Sequence, residues 1–193
     1  LPLILTARGN DGTLYPRYRA PRAMILRAVR QAARVITVSE ALRTQLIALG
    51  ADAGSIVTLR NGVDLDRFRP ADRATARTRL GFTGPTLLSV GHLIERKGHE
   101  IVIEALASLP DVRYCIVGEG PLGEKLRQAA RALGVADRVT FVGNIPQAEL
   151  VDYYSAADAL ALPSSREGMP NVVLESLACG TPVIAARCEG TPE

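Results

Sequence analysis

The sequence predicts an α/β protein built on a doubly wound parallel sheet of Rossmann-like type, and three observations carry that prediction. Short apolar runs of strand length alternate with longer helical stretches along the chain. The runs are continuous rather than alternating, as in Leu87-Leu88-Ser89-Val90, Tyr114-Cys115-Ile116-Val117 and Ala159-Leu160-Ala161-Leu162, which marks strands covered on both faces. The joining segments are a few residues long and rich in glycine, proline and asparagine, as α/β units prefer.

Taken in order, Leu3-Ile4-Leu5-Thr6 reads as a strand that ends in a loop, Arg8-Gly9-Asn10-Asp11-Gly12. Pro21 opens a helix whose one face carries Met24, Ile25, Ala28, Val29 and Ala32. Arg22, Arg27, Arg30 and Arg34 decorate its other faces, as on a core helix with a solvated arginine side. Val35-Ile36-Thr37-Val38 is a strand. Ser39 caps the next helix, which runs through Leu42, Leu46 and Leu49 to its stop at Gly50. Ile56-Val57-Thr58-Leu59 is another strand, and Asn61-Gly62-Val63-Asp64 is a turn signal that we take as a domain boundary, dividing 1–60 from 61–193. Beyond Pro70 the alternation is regular. Helices are expected near 75–80, 98–109, 122–133, 147–154 and 171–179, and strands at 86–90, 113–117, 138–142, 158–162 and 182–186.

Composition removes several classes of function. Hydrophobic residues are 47% and charged residues 22%, which is globular rather than disordered. No apolar run approaches the roughly 18 residues that span a bilayer. A net charge of +3 is too small to argue for nucleic acid. Cys115, Cys179 and Cys188 lie scattered in or beside apolar segments, with neither metal-ligand spacing nor a disulfide framework, which fits a reducing cytoplasm. No P-loop is present.

The stretch around which the rest is organised is Glu167-Gly168-Met169-Pro170-Asn171-Val172-Val173-Leu174-Glu175, continued by Ser176-Leu177-Ala178-Cys179-Gly180-Thr181-Pro182. Pro170 sets a helix start just past the end of a strand, where open α/β sheets bind ligands and free N–H groups suit a phosphate. Glu175 lies among apolar residues of that helix, an expensive place for a carboxylate without a hydrogen-bond partner. An exposed Glu175 on an outer face, with Glu167 as a favourable charge near a helix start, is the plainer reading of the two alone. Ser89-Val90-Gly91-His92-Leu93-Ile94-Glu95-Arg96-Lys97-Gly98 likewise follows a strand and opens a helix, and its adjacent cations suit a diphosphate. Gly118-Glu119-Gly120-Pro121-Leu122-Gly123 is a literal Gly-x-Gly-x-x-Gly, but the acidic residue of a nicotinamide site is missing from the end of the next strand, and Pro121 removes an N–H from any phosphate cradle.

Glu-x7-Glu, set in the run from Glu167 through Ala185, resembles the donor-site signature of the retaining glycosyltransferases of family 4, of the bacterial polysaccharide-assembly type. The resemblance implies a GT-B fold, with 1–60 as the last part of the N-terminal acceptor domain and 61–193 as a truncated C-terminal donor-binding domain. The N-G-V-D turn at Asn61 followed by Phe68-Arg69-Pro70 resembles the family's passage between domains. It implies transfer of a sugar from a nucleoside-diphosphate sugar to an acceptor hydroxyl with retained configuration. Glu167 would hold donor-sugar hydroxyls and Glu175 the ribose hydroxyls, while Gly168, Met169, Pro170 and Asn171 shape the phosphate end. Lys97 matches the family's lysine on the pyrophosphate. His92 stands where the family has arginine, so either His92 or the adjacent Arg96 supplies the second contact. Asn144 and Ile145 fall in the loop that holds the base. Glu167 and Lys97 are the two residues to which the resemblance gives catalytic work. No metal and no cofactor is expected, because cations and helix ends neutralise the diphosphate. The acceptor is expected to be a lipid-linked saccharide, the location cytoplasmic at the inner face of the membrane, and any peripheral membrane contact to run through the N-terminal domain. The resemblance also implies that the chain is a fragment that transfers little sugar by itself. The competing readings are a GT-B sugar-nucleotide epimerase, a non-catalytic nucleotide-binding module and, least of all, a dehydrogenase.

Overall fold

A computed structural model describes residues 2–193. The chain forms two compact units. One comprises 1–62 with 166–170 and 187–193, and the other comprises 63–165 with 171–186. Both are α/β with parallel sheets, the class the sequence predicts.

The first unit holds β1 (Ile4–Ala7), α1 (Asn10–Thr13), α2 (Arg19–Gln31), β2 (Arg34–Thr37), α3 (Glu40–Ala48) and β3 (Ile56–Thr58). Its three strands pair in sequence order, all parallel. Ala7, Val29, Val35, Val38, Leu42, Leu46, Ala51 and Ile56 form its core. Ser39 caps α3 as expected, its hydroxyl accepting from the Leu42 N–H at 3.2 Å. Two details differ from the sequence reading. The segment read as a loop after β1 contains the single turn α1, because the Asp11 carboxylate gathers the Arg8 and Gly9 N–H groups ahead of it. Met24, assigned to the buried face of α2, is 71% exposed. The face that packs is centred on Ile25 and Val29, and one residue of helix rotates a side chain by about 100° away from it.

The second unit holds α4 (Arg73–Leu80), β4 (Thr86–Val90), α5 (His99–Ala105), β5 (Arg113–Val117), α6 (Gly123–Ala132), β6 (Val139–Gly143), α7 (Leu150–Ala156), β7 (Ala159–Leu162), α8 (Asn171–Ala178) and β8 (Val183–Ala185). The sheet order is β6-β5-β4-β7-β8, all parallel. The order reverses between β4 and β7, which makes the carboxyl end of β4 a topological switch point. Two apolar clusters cover the sheet. One contains Phe68, Leu88, Cys115, Tyr154 and Leu160, and the other Ile103, Leu106, Tyr114, Ile116 and Leu126. β4 and β7 are thus buried on both sides, the reason their sequences read as unbroken apolar runs. Asp158 ties this unit's lower edge, accepting from the Thr86 N–H at 2.8 Å and pairing with Arg73 and Arg77 at 2.6 and 3.3 Å.

Candidate functional site

The switch point of the second unit is built from two loops locked together. The Gly91 N–H donates to the Val117 carbonyl at 2.9 Å, Leu93 to Glu119 at 3.0 Å, and Leu122 back to Leu93 at 3.0 Å. This interlock explains the Gly-x-Gly pattern. A Cβ on Gly118 would run into the Gly91 carbonyl oxygen, and one on Gly120 would lie 2.6 Å from the Leu93 oxygen. The glycines make room for the chain's own backbone, and a dinucleotide phosphate has no cradle there.

His92 stands on this interlock. Its Nδ1 is 3.0 Å from the Glu119 carbonyl oxygen, and a carbonyl only accepts, so Nδ1 carries a proton. The Glu119 carboxylate in turn accepts from the Asn144 side-chain amide at 3.1 Å. His92, Asn144 and Ile145, with Val90, Gly91, Val117, Gly118 and Leu150, line one cavity of about 190 Å³. Three of the residues picked out by the sequence therefore share one concave site at the end of β4 and β5.

Lys97 joins them. It closes a single 3₁₀ turn, Glu95–Lys97, and Gly98 follows in a left-handed conformation with φ 68°. The turn is pinned to the end of β7 by the Ser165 N–H, which donates to the Arg96 carbonyl at 2.8 Å. The Lys97 Nζ comes within 3.7 Å of where a Gly91 Cβ would stand, so the ammonium lies over the β4 loop. The backbone of Arg96 serves to anchor the turn, and Arg96 and Lys97 each have a further interaction. Behind the turn, His99 is buried, with Nδ1 3.0 Å from the Tyr114 hydroxyl and Nε2 3.3 Å from the His92 carbonyl oxygen. Tyr114 donates to Ser89 at 2.8 Å, and Ser89 to the Ala161 carbonyl at 2.5 Å. Burial holds the His99 imidazole below its ordinary pKa, the His92 carbonyl opposes the shift and the Lys97 charge adds to it.

Glu175 is buried, not solvated. It is 8% exposed and accepts a hydrogen bond from the Tyr154 hydroxyl at 2.8 Å. That partner answers the cost of a carboxylate on an apolar helix. Tyr154 is fixed in turn by its carbonyl, which accepts from the Thr181 hydroxyl at 2.6 Å. Burial, then the neighbouring Glu175 charge, pushes the Tyr154 phenol up, so it stays a donor at any working pH. Asn171 begins α8, directly after Pro170. Among the described residues no group of three or more His, Cys, Asp or Glu side chains could hold a metal ion, and no helix is long and apolar enough to cross a membrane.

Glu167, Gly168, Met169 and Pro170 belong to the first unit and form a loop beside β1 and α3. Gly168 lies so close to Arg8 that a Cβ would strike the Arg8 carbonyl oxygen. Met169 packs on the first unit's core, its sulfur 3.3 Å from the Asn61 N–H and its carbonyl accepting from the Asn61 side chain at 3.1 Å. Glu167 is 9% exposed, and its carbonyl accepts from the Gly190 N–H at 3.3 Å. Glu193 sits at the start of α3, where its two oxygens accept from the Glu40 and Ala41 N–H groups at 2.8 Å each. The sequence reading left out Glu189 and Glu193. Neither carries a local sequence signal, because what each one meets lies far away in the chain.

With this geometry in hand, the family model described as "Glycosyl transferases group 1" matches residues 72–193. The chain belongs to that family. A second model, "Glycosyltransferase Family 4", matches residues 1–67. A D-inositol 3-phosphate glycosyltransferase of Mycobacterium sp. (strain KMS) is 40% identical over 173 residues, covering 85% of this chain and 39% of the relative. A GDP-mannose-dependent alpha-(1-6)-phosphatidylinositol monomannoside mannosyltransferase of Mycolicibacterium smegmatis is 37% identical over 183 residues, covering 87% and 48%. The chain thus spans less than half the length of these curated relatives. Among solved structures, Anabaena Alr3699/HepE in complex with UDP superposes with a TM-score of 0.87 at 28% identity, covering 98% of this chain and 54% of that one. The same protein is also solved with UDP-glucose. Sucrose-phosphate synthase from Thermosynechococcus elongatus superposes with a TM-score of 0.84 at 31% identity, covering 97% and 50%.

Proposed function

We propose that the protein transfers a sugar from a nucleoside-diphosphate sugar to an acceptor hydroxyl, with retention of configuration. The observation that carries this reading is the Lys97 ammonium over Gly91, beside the cavity lined by His92, Asn144 and Ile145. A nucleoside packs in the cavity with its base toward Asn144 and Ile145, and its diphosphate meets Lys97, with Arg96 or His92 as second donor. Glu175 takes the ribose hydroxyls, already held by Tyr154. Glu167 takes hydroxyls of the donor sugar, and the backbone of Gly168, Met169, Pro170 and Asn171 faces the phosphate. As the sugar–oxygen bond breaks, negative charge grows on the departing diphosphate, and Lys97 stabilises it where it develops. A cation and helix-end N–H groups do this without a metal ion or cofactor.

The relatives support the substrate class. One is named for its dependence on GDP-mannose, and HepE is solved with UDP-glucose. The acceptor is a lipid-linked saccharide and the product enters cell-surface glycolipid or polysaccharide, in keeping with a relative named for a phosphatidylinositol monomannoside. The work is done at the inner face of the membrane, touched through the first unit's side of the enzyme. The test is incubation of the full-length protein with UDP-, GDP- and ADP-sugars and an isolated lipid fraction, with the anomeric configuration of the product read by NMR. Retained configuration in the product supports the reading. Inverted product, epimerised donor or no consumption of any donor contradicts it.

A further inference from the structure

Glu189 is the one non-glycine residue with positive φ, 41°, among the described residues. An L-residue is held there only when its surroundings over-determine it. Those surroundings are all in the first unit. The Glu189 carboxylate faces the Glu167 backbone N–H and the Gln45 side chain, both of which act to lower its pKa. The next residue, Gly190, donates its N–H to the Glu167 carbonyl at 3.3 Å. Two consecutive residues thus lie on Glu167's own backbone, Gly190 bonded to its carbonyl and the Glu189 carboxylate facing its N–H. The fit leaves no slack, since a Cβ on Gly190 would lie 2.7 Å from the Ser39 Cβ and would also strike the Gly168 carbonyl oxygen.

The grip has an electrostatic cost. One Glu189 oxygen, Oε2, is buried without a hydrogen-bond partner, and so is the Gln45 Oε1. Burial raises the Glu189 carboxyl. The Glu167 N–H, the Arg166 charge and Gln45 lower it, and the Glu167 charge raises it further, for a net rise. A strained backbone and a half-satisfied carboxylate are not explained by packing, since glycine would fit the conformation without either cost.

We propose that Glu189 is a positioning residue for Glu167, fixing the backbone from which the Glu167 carboxylate reaches the donor sugar. The proposal rests on the donor-site reading of Glu167 given above, and the test separates the two. In the full-length protein, amide hydrogen exchange of the segment 164–170 is followed for the wild type, Glu189→Gln and Glu189→Gly, alongside sugar-transfer kinetics and thermal melting. Glutamine keeps an oxygen that can accept from the Glu167 N–H. Glycine relieves the φ strain and removes the acceptor. The expected result is exchange about tenfold or more faster in Glu189→Gly, with near wild-type protection in Glu189→Gln and a melting temperature not lowered in either. In the transfer assay Glu189→Gly is expected to lose kcat with KM for the donor little changed, and Glu189→Gln to retain most of it. Unchanged exchange in Glu189→Gly overturns the positioning role. Faster exchange with unchanged kcat overturns the donor-site reading of Glu167 instead.

Discussion

The two loop systems at the strand ends are made in opposite ways. In the second unit three polar groups of the site have settled partners: His92 on the Glu119 carbonyl, Asn144 on the Glu119 carboxylate, and Glu175 under Tyr154. In the first unit the segment carrying Glu167 is held by a residue in a left-handed conformation whose carboxylate keeps one unpaired oxygen. A few residues on, Glu193 shows what a satisfied carboxylate looks like in the same loop. Burial acts to raise it, but the Glu40 and Ala41 N–H groups and Arg60 hold it below the usual carboxylate value. On the function proposed above, the difference teaches that a surface whose polar groups are already bonded suits binding of a nucleotide, whereas strain is tolerated beside a side chain that meets the donor sugar.

The largest effect is expected at the interlock. Gly118→Ala puts a Cβ against the Gly91 carbonyl oxygen at φ 133°, and we expect it to cost about 3 kcal/mol of stability, read as a fall in the urea midpoint. A melting curve like the wild type's would mean that the loops are not locked. Next in size, Lys97→Ala in the full-length protein is expected to lower kcat about a hundredfold, measured by release of nucleoside diphosphate. A change confined to KM would remove Lys97 from the charge-stabilising role. Smaller still, Asp158→Asn is expected to destabilise the second unit by about 1 kcal/mol, allowing for its partial exposure. Burial works to raise the Asp158 carboxyl, but the Thr86 N–H, Arg73 and Arg77 outweigh it and hold it low. A carboxyl lowered on folding stabilises above the unfolded-state value and loses that contribution as pH falls through the folded-state value. The gap between wild type and Asp158→Asn should therefore be full above about pH 4 and close below it, in melts taken from pH 7 to pH 2.5.

Much of this arrangement was legible from residue order alone. The strands of the second sheet are buried on both faces, so their apolar runs are unbroken. Ser39 and Gly50 mark the two ends of α3 through local backbone rules, and Gly50 does take a positive φ of 104°. What stayed hidden depended on long-range partners. Tyr154 lies 21 residues from Glu175, and only the fold makes a buried carboxylate affordable there. Gly118 and Gly120 spelled a dinucleotide motif, while their real neighbours are Gly91 and Leu93. Glu189 carried no sequence signal, because a strained φ is set by what packs around it.

The most direct test of the account is calorimetric titration of this chain with UDP, GDP, ADP and NADH, repeated on Glu175→Ala. We expect one nucleoside diphosphate to bind and the substitution to weaken it about tenfold to a hundredfold, the value of hydrogen bonds to a charged group. Binding of NADH alone, or nucleoside-diphosphate binding indifferent to Glu175→Ala, would contradict it.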